Sequence, residues 1–128
     1  MKEKDLKSRT KNLALNVLRF VRTLPGEYWV RNIANQLARS GTSVGANYRA
    51  VCRAKSKLDF VSKLATVEEE LDETLYWLEI LEQLEVGSFR SIQELYREAD
   101  ELTAVVVSSI KTTRAGMLKD FRKLAPIE

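Results

Sequence analysis

The chain contains no histidine. The side chain that most often moves protons at neutral pH is therefore missing, and with it go His-based acid–base catalysis, serine and cysteine triads, and the Glu-x-x-His iron sites of helical bundles. The single Cys52 has neither a base to activate it nor a second cysteine for an internal disulfide, and a buried structural thiol is the expectation. Glu70 and Glu73 lie three apart on one helical face, with Glu69 and Asp72 beside them, a spacing that can hold a divalent cation. Without a second acidic helix converging on them, the competing role is a structural polar network through Arg39, Asn47 or Lys63. Neither G-x-x-x-x-G-K-[ST] nor G-x-G-x-x-G occurs, so nucleotide binding lacks a phosphate loop. The expectation is a non-enzymatic protein with no catalytic residue, metal or cofactor.

What remains is a set of cations. Arg31, Asn35, Arg39, Thr42, Ala46, Arg49 and Arg53 advance by four or three residues at every step, which places all seven on one helical face. Four of them are arginines, and Lys55 and Lys57 follow directly. Neutralisation of phosphate is the chemistry such a stripe offers, with Lys111 and Arg114 as helpers. The net charge of +3 conceals a strong segregation: residues 1–57 hold 13 Lys and Arg against 3 acids, residues 58–110 hold 3 against 13, and residues 111–128 hold 5 against 2. Two consequences compete. The halves neutralise each other within a bundle or between subunits, or the basic half presents a field to a polyanion. Tyr48 either packs its ring and exposes its hydroxyl or stacks on a base. Few aromatic residues interleave the stripe, so sequence-specific stacking is not expected.

The elements that must position these residues are helices. At 128 residues, 45% hydrophobic and 30% charged with only 5 glycines and 2 prolines, the chain is sized for one helical domain with a core of its own. The first helix spans about Leu6 to Leu24, with Leu6, Leu13, Val17, Phe20 and Leu24 on one face and Lys7, Lys11, Arg19 and Arg22 away from it. Pro25 and Gly26 stop it. The second begins near Glu27 and carries Val30, Ile33, Ala34, Leu37, Gly41, Val44, Tyr48 and Val51 inward. Its phase survives Ser40, Gly41 and Thr42, so it reads as one helix whose small residues allow close approach. Asn47, unfavourable in mid-helix unless partnered, is expected to anchor a buried polar contact that fixes register.

The third helix opens at Ser56, a cap with Asp59 three residues on. Phe60, Leu64, Val67, Leu71, Thr74, Leu78 and Leu81 then keep a four-then-three spacing, over about 30 residues or roughly 45 Å. Tyr76 and Trp77 flank that seam and serve either a subunit interface or the edge of an ordinary core. Gly87 ends the pattern, Ser91 with Glu94 reads as a capping box, and the last helix uses Ile92, Leu95, Ala99, Leu102, Val106 and Ile110. Beyond Arg114 the periodicity fades, so residues 1–115 are expected to form the domain and 116–128 a basic, partly mobile tail. Short connections favour an all-α, up-down-up-down antiparallel four-helix bundle. No apolar run approaches the roughly 20 residues of a membrane span, and the amino terminus lacks the apolar core of a signal peptide, which leads to the expectation of a soluble, cytoplasmic protein.

Three segments carry a resemblance: RSGTSVGANYRAV from Arg39, SKLDFVSKL from Ser56, and EELDETLYWLEIL from Glu69. They resemble the R-S-x-T-S-I-G-A-N-Y-R, S-x-x-D-F-x-x-K and E-x-x-E-T-x-Y-W-L stretches of the bacterial four-helix bundle family named after 23S ribosomal RNA intervening-sequence proteins. The likeness covers the second and third helices well and the others by length and pattern, and the acid-rich Glu68, Glu69 and Glu70 depart from it. Members of that family resemble in turn the accessory protein of diversity-generating retroelements, a ring-shaped pentamer that binds nucleic acid and works with a reverse transcriptase. The resemblance thus implies a homo-oligomer, a homopentamer by that analogy, with RNA or a nucleic-acid complex as partner. The alternatives are a protein scaffold, whose basic second helix meets the acidic third helix of a neighbour, and a reverse-transcriptase adaptor.

Overall fold

Four helices make up the computed structural model over its described residues, 3–124, with side chains from Asp5 onward. They are α1 (Glu3–Val21), α2 (Tyr28–Val51), α3 (Lys57–Gln83) and α4 (Phe89–Leu124), and no strand occurs among the described residues. α1 ends before Pro25 in a turn: the Leu24 amide donates to the Val21 carbonyl at 3.1 Å, so Leu24 stays buried although it is no longer helical. α2 runs unbroken through Ser40, Gly41 and Thr42, as its hydrophobic phase requires. The Thr42 hydroxyl donates back to the Ala38 carbonyl at 2.8 Å and so stays inside the helix. The Ser56 hydroxyl caps α3 by accepting from the Asp59 amide at 3.0 Å.

Two features of α4 differ from the expectation. Its cap is Ser88, whose hydroxyl accepts from the Ser91 amide at 3.2 Å, and Ser91 itself already lies inside the helix. The helix also continues ten residues past Arg114, to Leu124, where the sequence shows no inward stripe. The remaining four residues of the expected tail lie outside the described residues.

Each helix packs against its neighbours in sequence, and α1 closes the ring on α4 through a thinner seam. This is the antiparallel four-helix bundle expected from the short connections. Leu13, Val17, Leu37, Val44, Leu64, Leu71, Leu78, Leu81 and Leu102 are essentially inaccessible. Gly41 brings α2 against α1, since a Cβ there would lie 2.9 Å from both methyls of Val17. Gly87, at φ 89°, turns the chain into α4 under the Leu24 and Phe20 side chains. Inside the core, Thr74 on α3 places its hydroxyl 3.0 Å from that of Ser40 on α2, and both groups are fully buried. Arg9 spans the α1–α4 seam to Glu98 at 2.8 Å and Glu101 at 3.0 Å. The Glu98 hydrogen bond is the largest influence raising the Arg9 pKa.

Charge sorts by face. Tyr96 on α4 sits among Glu79, Asp100, Glu82 and Asp72, and partial burial followed by these carboxylates pushes its phenol pKa up. The α3–α4 side of the bundle is therefore acidic around Tyr96, whereas the α1–α2 side carries the basic segment of the sequence, and α4 turns basic again from Lys111 onward.

Candidate nucleic-acid interface

α1 and α2 approach closely because α2 presents small residues where they meet. A Cβ on Gly45 would lie 3.3 Å from the Thr10 backbone carbonyl. The two helices consequently leave a shallow groove of about 630 Å³ with Ala14, Gly45 and Ala46 along its floor. Lys7 and Lys11 stand on the α1 wall, Arg49 and Arg53 on the α2 wall. Each pair is spaced four residues apart, about 6 Å along its helix axis. No carboxylate lines this groove among the described residues. Two rows of cations over an uncharged floor can hold successive phosphates of a chain by charge alone, without stacking surfaces to read bases.

The six cations marked out on the sequence do not act together. Arg49 and Arg53 line the groove. Arg31 is half-buried and donates to the Val21 and Leu24 carbonyls at 3.3 and 3.5 Å, closing the carboxyl end of α1. Arg39 leans the other way, onto α3, where it pairs with Glu73 and, at 3.4 Å, with Glu70. Lys57 pairs with Asp120 of α4 at 2.8 Å. Lys55 is exposed beside a separate cavity of about 500 Å³ at the end of the bundle, which Lys57, Cys52 and Phe60 also line. Lys111 and Arg114 are exposed on α4, away from the groove lining.

The polar residues also resolve. Glu70 and Glu73 form a network with Arg39, and no group of three or more His, Cys, Asp or Glu suited to a metal occurs among the described residues. Asn47 donates to the Ser43 carbonyl of its own helix at 2.9 Å, so the buried polar contact between helices is Ser40–Thr74 instead. Cys52 is only half-buried, and Tyr48 is buried in the core. Tyr76 is half exposed, with its ring edge-on to Trp77 at 4.9 Å.

Lys7 and Lys11 were legible in the sequence only as the solvent face of α1. The signal that singles them out is their four-residue spacing toward Ala14, matched by Gly45 and Ala46 where α2 must cross close by.

A model of the family described as 23S rRNA-intervening sequence protein matches residues 2–108. No curated protein matches the chain. Among solved structures, a protein with unknown function from the S23 ribosomal protein family of Bacteroides thetaiotaomicron is 32% identical, with a TM-score of 0.79 over 87% of this chain and 99% of that one. No described helix is long and apolar enough to cross a membrane.

Proposed function

We propose, for a chain that belongs to the 23S rRNA-intervening sequence protein family, a non-enzymatic, self-assembling bundle that binds RNA along its α1–α2 groove. The observation that carries this reading is the convergence of Lys7, Lys11, Arg49 and Arg53 on a small-residue floor with no carboxylate lining it among the described residues. Binding proceeds by neutralising phosphates and releasing their counterions, and assembly multiplies the number of grooves one RNA meets. Arg31 and Arg39 serve the fold, because their guanidinium groups are engaged by α1 carbonyls and α3 carboxylates. A protein scaffold or reverse-transcriptase adaptor is the second reading, favoured by the exposed aromatic residues Tyr28, Trp29 and Tyr76.

The test is fluorescence anisotropy of a labelled structured RNA titrated with protein across a range of salt, with the oligomeric mass of every variant checked. Wild-type affinity should fall steeply with salt. Replacing Lys7, Lys11, Arg49 and Arg53 by alanine should flatten the log–log slope by about 3 per chain, four contacts at roughly 0.7 to 0.9 each. Arg39→Ala should leave the slope unchanged. No binding at low salt by an intact assembly would sink the RNA reading and leave the scaffold.

A further inference from the structure

The cavity of about 500 Å³ at the end of the bundle shares no lining residue with the α1–α2 groove, and all four helices build it. Leu6 of α1, Val51 of α2, Phe60 and Leu64 of α3 and Val106 of α4 give it an apolar floor that is continuous with the hydrophobic core. Ser109 of α4 lines it as well and is half-buried. Its border is of another character. The connection between α2 and α3 supplies Lys55 and Ser56, α3 begins with Lys57, and all three are exposed. No carboxylate lines this cavity among the described residues.

The two border lysines differ in what they already hold. Lys57 pairs with Asp120 at 2.8 Å. Asp59, the acid nearest to Lys55 in sequence, is taken by the Lys63 ammonium and by the Lys55 amide at 3.0 Å. The Lys55 ammonium acts on Asp59 through space and enters no ion pair of its own among the described residues. One uncommitted cation over an apolar recess suits a single negative charge joined to an apolar chain. The volume lies within the range of small-ligand sites and, taken as compact, is roughly 10 Å across, the length of about eight carbons of extended chain. A head group at Lys55 stays in water, so no charge has to be buried, while every methylene that enters the recess leaves water.

We infer that this cavity binds a medium-length, single-chain carboxylate, with its chain against Leu6, Phe60 and Leu64 and its head at Lys55. The site is independent of the RNA-binding groove.

Isothermal titration of octanoate into the full chain tests it. One octanoate should bind per chain, and hexanoate, two methylenes shorter, should bind about fifteenfold more weakly. Octylammonium, the same chain under the opposite charge, should bind severalfold more weakly than octanoate, and Lys55→Glu, at an exposed position, should invert that preference. Ser109→Phe fills the cavity and should abolish binding, with circular dichroism confirming that the helices are intact. Cys52, the only cysteine of the chain, lines the same cavity and supplies a readout on the unaltered protein: saturating octanoate should slow its reaction with an aromatic disulfide severalfold. Octanoate that does not saturate at one per chain, a preference that Lys55→Glu leaves unchanged, binding that survives in folded Ser109→Phe protein, or a Cys52 rate indifferent to octanoate would each overturn the assignment.

Discussion

Gly41→Ala tests the close approach of α1 and α2 quantitatively. The substitution should gain about 1 kcal/mol of helix propensity, because glycine inside a helix is that much less favourable than alanine. Against this stands the new methyl, 2.9 Å from Cγ1 and Cγ2 of Val17. Val17 is fully buried and β-branched, so rotating one methyl away drives the other in. Overpacking of this kind costs about 1 to 3 kcal/mol, which leaves a net loss on the order of 1 kcal/mol, up to about 2. In a Val17→Ala background the obstructing methyls are gone, and the same Gly41→Ala change should stabilise by up to about 1 kcal/mol. The double-mutant cycle should therefore show a coupling near 2 kcal/mol. Gly116→Ala, where nothing lies within 4 Å of the new Cβ, supplies the propensity gain without the clash. Urea unfolding followed by circular dichroism gives each value, with every variant held at one fixed protein concentration. A Gly41→Ala protein as stable as wild type, or an identical shift in the Val17→Ala background, would refute the packing argument.

Two further perturbations address the caps. Ser88→Ala should cost about 1 kcal/mol by removing the acceptor for the Ser91 amide, whereas Ser91→Ala should be nearly neutral; thermal melts of the two variants decide between the serines. The Lys63 ammonium, and after it the Lys55 amide, hold the Asp59 carboxyl below its ordinary pKa. A carboxylate lowered in the folded state stabilises above its unfolded value of about 4 and loses that contribution as pH falls through the folded value. The stability gap between wild type and Asp59→Asn should thus be full above about pH 4 and close below it. A gap that stays constant as urea midpoints are followed into acid would remove the linkage.

Much of the fold was legible because burial imposes a period. The continuity of α2 through Ser40–Thr42 follows from Leu37, Gly41 and Val44 keeping one phase, and the buried positions of α4 from Ile92 to Ile110 match the inward stripe residue for residue. α4 past Arg114 escaped the same reasoning because nothing covers Leu118, Phe121 and Leu124, so no inward stripe marks the helix. Ser88 and Ser91 both precede the first buried residue, Ile92, so the sequence pattern points to the wrong serine as cap and only geometry separates them. For the candidate site, helical spacing brings Arg49 and Arg53 forward as neighbours but cannot reveal that Arg31 and Arg39, equally long and on the same stripe, reach different partners. The carboxylates that Arg39 meets, Glu70 and Glu73, stand out in the sequence by their spacing on one helical face. The acceptors of Arg31 do not, since they are backbone carbonyls that every residue carries. Lys7 and Lys11 belong to the groove only through the crossing at Gly45, which is a tertiary fact.

The sorting of charge, basic along α1 and α2 and acidic along α3 and the amino-terminal part of α4, makes each molecule a permanent electric dipole directed across the bundle. Near a polyanion such a body feels a torque as well as a pull: it is turned until α1 and α2 lead, before any atom touches. A random tumble is thereby converted into a guided landing, and collisions that would otherwise strike with the wrong side are redirected. The orienting reach is set by the ionic atmosphere, about 8 Å at physiological salt and about 30 Å in dilute buffer. Dilution should therefore quicken capture as well as tighten it.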